Sequence, residues 1–365
     1  MRVALVAYFF EPYKGVGAIR ATYWAKHIGE LDPSIVCDVI TVQADAPDEL
    51  CSGKVKVIKI PQEKRFFFSK IRIDAGINWK RPLKKFFAEN GDKYDAVIFT
   101  GSPFLHFFAA AGLKCKVIFD FRDPFANNPH FHSSKLSVMI KKLCERRMLD
   151  IADVSIAVNE VCRDLMENHE KHRIEIIENG YDDSVIESVA VSQKRSDARK
   201  KIVYTGKFYL GFRYENLLEI LGKRENTEKF CFDYMGPENE KVAAFNRGNF
   251  NVSPLVPYRE AVSRIAAADI CVVLTPGKSF QSTTKIFDYI GLEKTILVIT
   301  EGEPETGNIH EISKEYPNIF WCRNDEASIQ KALNEIYDFV PKPYPEKIKF
   351  SRRDGLKKLI GLLHE

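Results

Sequence analysis

The sequence has 365 residues, 45% of them hydrophobic and 28% charged, which exceeds what one ordinary core organises and suits two domains of a soluble globular protein rather than a disordered or membrane-spanning one. A formal net charge of +4 is too small for a dedicated nucleic-acid binder, so no nucleic-acid partner is expected. The eight cysteines include no C-x-x-C pair and the eight histidines are dispersed, which argues for free thiols and against a metal site.

The first apolar run, Met1 to Phe10, is ended by Glu11 and Pro12 too early for a signal peptide or a spanning helix, so a cytoplasmic protein is expected. Arg2–Phe9 reads as a strand, and the connection after it carries Gly15 and Gly17 before a helix over Ala18–Gly29. Glycines there would let backbone N–H groups approach an anion at a helix N-terminus, although the third glycine of G-x-G-x-x-G is missing. Further short apolar strands are predicted over Ile35–Val42, Val55–Ile60, Ala96–Thr100, Lys116–Asp120 and Val154–Val158, with amphipathic stretches between them. Such alternation predicts a parallel sheet covered by helices on both faces. Between Lys64 and Phe87, basic residues including Lys80, Arg81, Lys84 and Lys85 interleave with Phe66, Phe67, Phe68, Trp79, Phe86 and Phe87. That segment reads either as a helix pair with an apolar inner face or as a peripheral contact with an anionic membrane. At the end of the fifth long strand, Arg122 and Asp123 sit where α/β sheets bind ligands.

From Ile174 to Lys200 the periodicity loosens into polar sequence, and the domain junction is placed there. A second alternating series follows over Lys201–Thr205, Phe230–Met235, Phe250–Ser253, Ile270–Thr275, Thr295–Thr300 and Ile319–Cys322. After the first of these strands come Gly206, Lys207 and Arg213, two cations suited to an anionic leaving group. Gly277-Lys278-Ser279 lacks the leading glycine of a P-loop. The stretch Ser282-Thr283-Thr284-Lys285-Ile-Phe-Asp288 reads as a helix entry, its hydroxyl residues as N-caps facing a diphosphate, Lys285 as added charge and Asp288 as an acceptor for ribose hydroxyls. A last helix is expected over Gly355–Leu363, so the domains are drawn at 1–185, 186–345 and a C-terminal crossover helix over 346–365.

These motifs, in this order over nearly the whole chain, resemble glycosyltransferase family 4. The opening strand with Gly15, Gly17 and Arg20 is similar to that family's glycine loop, which faces the donor diphosphate. Ile176 to Asp182 resembles its interdomain N-G-x-D turn, Lys207 and Arg213 stand where it has a basic pair, and Asp288 stands for the Glu that holds the donor ribose. The resemblance implies the GT-B architecture, α/β throughout, with two Rossmann-like doubly wound domains facing across a cleft, a C-terminal helix packing back across the junction, and retention at the transferred carbon. Phe280 stands where the family has a second Glu, and the family's frequent His has no counterpart near Arg122 and Asp123.

The expected activity is transfer of a sugar from a nucleoside diphosphate sugar, UDP favoured and GDP the alternative, to a glycan or lipid-linked acceptor hydroxyl, with no cofactor beyond that co-substrate and no metal. Lys207, Arg213, Arg122 and Asp123 are the expected catalytic residues. Gly15, Gly17, Gly206, Ser282, Thr283, Thr284, Lys285 and Asp288, with Lys207 and Arg213, are expected at the donor. The rival readings are a nucleotide-sugar epimerase on the same architecture and a non-catalytic nucleotide-sugar binding subunit.

Overall fold

The computed structural model describes the chain except for residues 14, 52, 65–73, 130–133, 190–197, 209–212, 245–247 and 278–282. It divides into two compact units, one formed by Met1–Asn179 with Arg352–Glu365 and the other by Gly180–Ser351.

Unit 1 is built on strands β1 (Arg2–Ala7), β2 (Val36–Thr41), β3 (Glu49–Leu50), β4 (Val55–Lys59), β5 (Ala96–Thr100), β6 (Lys116–Arg122), β7 (Val154–Ala157) and β8 (Ile174–Ile176). Their spatial order is β3-β4-β2-β1-β5-β6-β7-β8, all parallel except the two-residue β3, which pairs antiparallel with β4. Setting β3 aside, the order runs outward in both directions from β1, and the switch point lies between β1 and β5. Helices α1 (Val16–Leu31), α2 (Ile77–Asn90), α3 (Lys135–Ile151) and α4 (Glu160–Asp164) connect these strands. Because helices cover both faces, the central strands are apolar at successive positions rather than alternating, and β5 is buried throughout. On one face Trp24 and Ile28 of α1 pack on Leu5 and Val39. On the other, Trp79, Leu83 and Phe87 of α2 and Met148 and Leu149 of α3 pack on Val6, Phe99 and Phe119.

Unit 2 repeats the plan. Its strands β9 (Lys200–Thr205), β10 (Phe230–Met235), β11 (Phe250–Ser253), β12 (Ile270–Thr275), β13 (Thr295–Thr300) and β14 (Ile319–Arg323) run in the order β11-β10-β9-β12-β13-β14. Every pairing is parallel, so all six C-terminal ends lie along one edge, with a switch point between β9 and β12. The helices are α5 (Asp183–Val189), α6 (Glu215–Leu221), α7 (Arg224–Thr227), α8 (Glu240–Ala244), α9 (Tyr258–Ala266), α10 (Lys285–Gly291), α11 (Gly307–Ser313) and α12 (Glu326–Tyr337). Leu217 and Leu221 of α6 join Ile329 and Leu333 of α12 on one face, and Val262 of α9 joins Ile286, Phe287 and Ile290 of α10 on the other.

The last helix, α13 (Arg352–His364), returns to unit 1, where Leu356, Leu359, Leu362 and Leu363 are buried in the same cluster as Trp24 and Ile28 of α1. Residues 345–350 are a 3-10 turn that stays with unit 2, so only the helix itself crosses over. The division falls between Asn179 and Gly180, a few residues before the junction drawn from sequence. Strands β3 and β8 have no counterpart in the sequence reading, because both are short and lie at sheet edges without a continuous apolar run.

Candidate active site

The strand ends at the switch point of unit 2 bring together much of the expected donor set. Gly206, directly after β9, has a φ of +89°, which disfavours an L side chain, and a Cβ there would lie 3.4 Å from Lys285 Nζ. Lys285, the first residue of α10, therefore lies against the backbone at the end of β9, with its ammonium 4.0 Å above the centre of the Tyr204 ring. Burial pushes that ammonium down to about 7, because no carboxylate offsets its desolvation. Gly277, after β12, has a φ of +72° and leaves a Cβ position only 2.6 Å from Gly302, after β13, so backbone approaches backbone along this edge.

Asp288 lies one turn into α10, and Tyr258 Oη donates to its Oδ1 at 2.7 Å, fixing the carboxylate from α9. Lys285 and Asp288 thus serve different neighbours and do not act as a pair. The capping expectation fails for Thr284. Its backbone is in the right-handed helical region rather than extended, and its side chain makes no cap hydrogen bond. Thr283 is half-buried just before it, and Ser282 lies outside the described residues. Lys207 is exposed, and its ammonium makes no ion pair among the described residues. Arg213 is also exposed, but Glu301, after β13, accepts from its Nε at 3.0 Å and from its Nη2. That pairing raises the Arg213 pKa, and Asn324 holds Glu301 in turn through a 2.5 Å hydrogen bond to Oε1.

In unit 1 the glycine loop makes room for rings. A Cβ at Gly15 would lie 2.3 Å from the Tyr13 ring and one at Gly17 would lie 3.0 Å from Phe9, and those two rings stack at 4.6 Å. Arg20 departs from the expectation that it joins this loop in facing a diphosphate. It is buried, and its Nε and Nη2 donate to Asp120 Oδ2 and Oδ1 at 3.1 Å each. Its Nη1 donates to the Ile177 and Glu178 carbonyls at 2.9 Å, and Trp24 packs 4.5 Å from the guanidinium. Burial pushes the Asp120 carboxyl up, opposed first by the Arg20 charge and then by Arg122. A fully paired arginine of this kind ties α1, β6 and the chain leaving the unit together.

Arg122 ends β6 at an irregularity in its pairing with β7, with a φ of +63°. Its Nη1 donates to the carbonyls of Gly17 at 3.2 Å and Gly101 at 3.4 Å, bridging the first turn of α1 and the loop after β5 at the switch point. Asp123 is exposed beside it. The segment from Lys64 to Phe87 divides: residues 65–73 lie outside the described residues, while Trp79 and Phe87 are buried, so those two aromatics belong to the core and cannot enter a membrane.

Tyr258, Glu301, Asn324 and the Arg20–Asp120 pair were not legible as site residues. Each partner lies far away in sequence, and only the C-terminal ends of neighbouring strands bring them together.

Residues 21–185 match the family model described as Glycosyltransferase Family 4. No curated protein matches the chain by sequence. Among solved structures, a glycosyltransferase from Rickettsia africae ESF-5 matches with a TM-score of 0.68 at 13% identity, over 99% of this chain and 97% of that one. Sucrose-phosphate synthase from Thermosynechococcus elongatus matches with a TM-score of 0.66 at 11% identity, over 99% and 94%. The Anabaena protein HepE, solved in complex with UDP and glucose, matches at 0.63 and 11%, over 100% and 99%. At such identities these structures share the fold, two Rossmann-like sheets in one chain. Residues 21–185, which cover most of unit 1, are thus similar to glycosyltransferase family 4, and the two doubly wound units have the GT-B fold of these solved structures.

Proposed function

We propose that this glycosyltransferase moves a hexosyl group from a UDP-sugar to an acceptor hydroxyl, with retention and without a metal ion. The observation that carries the reading is the edge where Gly206, Lys285 and the Tyr258-held Asp288 meet at the switch point of unit 2. Asp288 accepts the ribose hydroxyls, and Lys285, Lys207 and Arg213 face the diphosphate. A cation with no carboxylate partner among the described residues, seated beside a glycine backbone, suits a phosphate oxygen. As the bond between the sugar C1 and the diphosphate oxygen breaks, negative charge grows on the diphosphate, so these cations stabilise the transition state more than the ground state. The acceptor oxygen forms the new bond to C1, and its proton passes to the departing diphosphate.

Within unit 1, Gly15 and Gly17 are the residues proposed for a phosphate, and Arg122 and Asp123 those proposed for the sugar or the acceptor. A glycan or lipid-linked acceptor in cell-surface polysaccharide or glycolipid assembly fits this role, in the cytoplasm or on the inner face of its membrane. Binding of UDP in a relative of the same fold supports UDP over GDP.

The test is a thermal-shift screen of UDP- and GDP-sugars and the free nucleotides. A ligand at a hundred times its Kd adds about 2.7 kcal/mol of stability. A shift with UDP-sugars and not with GDP-sugars is expected. No shift with any nucleotide would overturn the reading, and a shift with GDP-sugars alone would change the base.

A further inference from the structure

Most exposed large apolar side chains of the described residues stand singly on different elements, such as Val36, Leu255 and Val340, as on any soluble surface. Helix α3 differs. Leu136, Met139, Ile140 and Leu143 are 58%, 54%, 41% and 52% exposed. Their spacing of three and four residues puts all four on one side of the helix over its first turns. Glu145, Met148 and Leu149, on the opposite side, are the residues it buries. A helix that covers a sheet needs one apolar face, so this second one is not explained by the core of unit 1. A contiguous apolar stripe left in water marks a binding surface.

The charges around the stripe are basic. α3 carries Lys135, Lys141, Lys142, Arg146 and Arg147 against Glu145 and Asp150. Glu145 is turned inward, where its carboxylate accepts from the backbone N–H groups of Phe125, Ala126 and Glu167. Lys142 and Arg146 are paired with Glu167. α2 covers the same sheet face and adds Lys80, Arg81, Lys84 and Lys85. Lys80 of α2 and Arg147 of α3 both act electrostatically on the Cys144 thiol, so of the α2 cations Lys80 lies near α3.

We propose that the outward face of α3 is a docking surface for an anionic lipid bilayer. Its four apolar side chains enter the boundary between headgroups and acyl chains, and the flanking cations meet anionic headgroups. This gives the membrane contact an element other than the 64–87 segment, whose Trp79 and Phe87 face the core. The inference deepens the proposed lipid-side acceptor but takes its evidence from exposure and charge alone.

The test is co-sedimentation of the full chain with vesicles of phosphatidylcholine, with and without phosphatidylglycerol, at low and near-physiological salt. One variant carries Leu136→Gln, Met139→Gln, Ile140→Gln and Leu143→Gln together, glutamine being a good helix former. A second carries Lys135→Ser and Arg147→Ser. The wild type is expected to pellet with the anionic vesicles and not with the neutral ones. The glutamine variant is expected to lose at least about tenfold in bound fraction with its thermal midpoint unchanged, and the serine variant to lose several-fold, most at low salt. Equal pelleting of the wild type and the glutamine variant would overturn the proposal, as would no pelleting of the wild type. So would a wild-type dimer by light scattering that the glutamine variant abolishes, since the stripe would then be covered by a second copy. The nucleotide thermal shift of each variant, expected to match the wild type, keeps this outcome separate from a failure of the glycosyltransferase reading.

Discussion

Asp288 acts with a partner that holds one of its oxygens. Tyr258 Oη donates to Oδ1, so the carboxylate is already oriented for the ribose proposed as its ligand. Asp288→Ala should therefore weaken UDP binding by about 1.5–3 kcal/mol, the worth of a hydrogen bond to a charged group. Tyr258→Phe should weaken it less, because the carboxylate stays and only its orientation loosens; calorimetry on both variants checks the order. His106 makes a different residue-scale prediction. It is fully buried among the rings of Tyr8, Trp79, Phe99 and Phe107, and neither ring nitrogen has a hydrogen-bond partner among the described residues. Burial pushes its pKa from 6.5 down to about 3. Between those values the unfolded chain binds a proton that the folded one refuses. The stability from a neutral His106 is therefore complete above pH 6.5 and is lost as the pH falls toward 3, at up to about 1.4 kcal/mol per pH unit. Denaturant titrations of wild type and His106→Phe at pH 7 and pH 5 should diverge, with the wild type losing more; parallel losses would mean that the imidazole reaches solvent.

At the scale of elements, the loop after β9 and the start of α10 work together because both leave the sheet at its switch point. The loop supplies Lys207, exposed and without an ion pair among the described residues, and Arg213, held by Glu301. Lys207→Ala and Arg213→Ala should each lower kcat about a hundredfold, the usual loss of one preorganised contact to developing charge, roughly 3 kcal/mol. Wild-type turnover in either variant removes that residue from the site. The cations, the glycine and the carboxylate were legible in the sequence because each lies within a few residues of a strand end or helix start, and local pattern reports that. Glu301 and Tyr258 were not, because nothing within a window around them marks their targets, Arg213 and Asp288. Thr284 shows the reverse error: a residue type suited to capping stands at the helix entry, but the backbone enters already helical and its hydroxyl makes no cap.

For the whole molecule, unit 1 is closed by the far end of the chain. α13 contributes four buried leucines to the core cluster of α1, so folding unit 1 requires closing a loop that contains all of unit 2. Leu359→Ala should cost about 2–5 kcal/mol, and hydrogen exchange should show lost protection in β1 and α1 rather than in the strands of unit 2. Protection lost equally in both units would mean that they unfold together. The sequence by itself determined the class of this protein: two series of apolar strands separated by helical stretches, with glycines, cations and a carboxylate at the strand ends. Local periodicity reports those features, since each depends on residues only a few positions apart. Only the tertiary structure decided the strand order, the return of α13 to unit 1, the burial of Arg20 against Asp120 and the outward apolar face of α3. Each of these depends on groups that are distant in sequence and become neighbours only when a sheet twists, a helix packs or an edge is left uncovered.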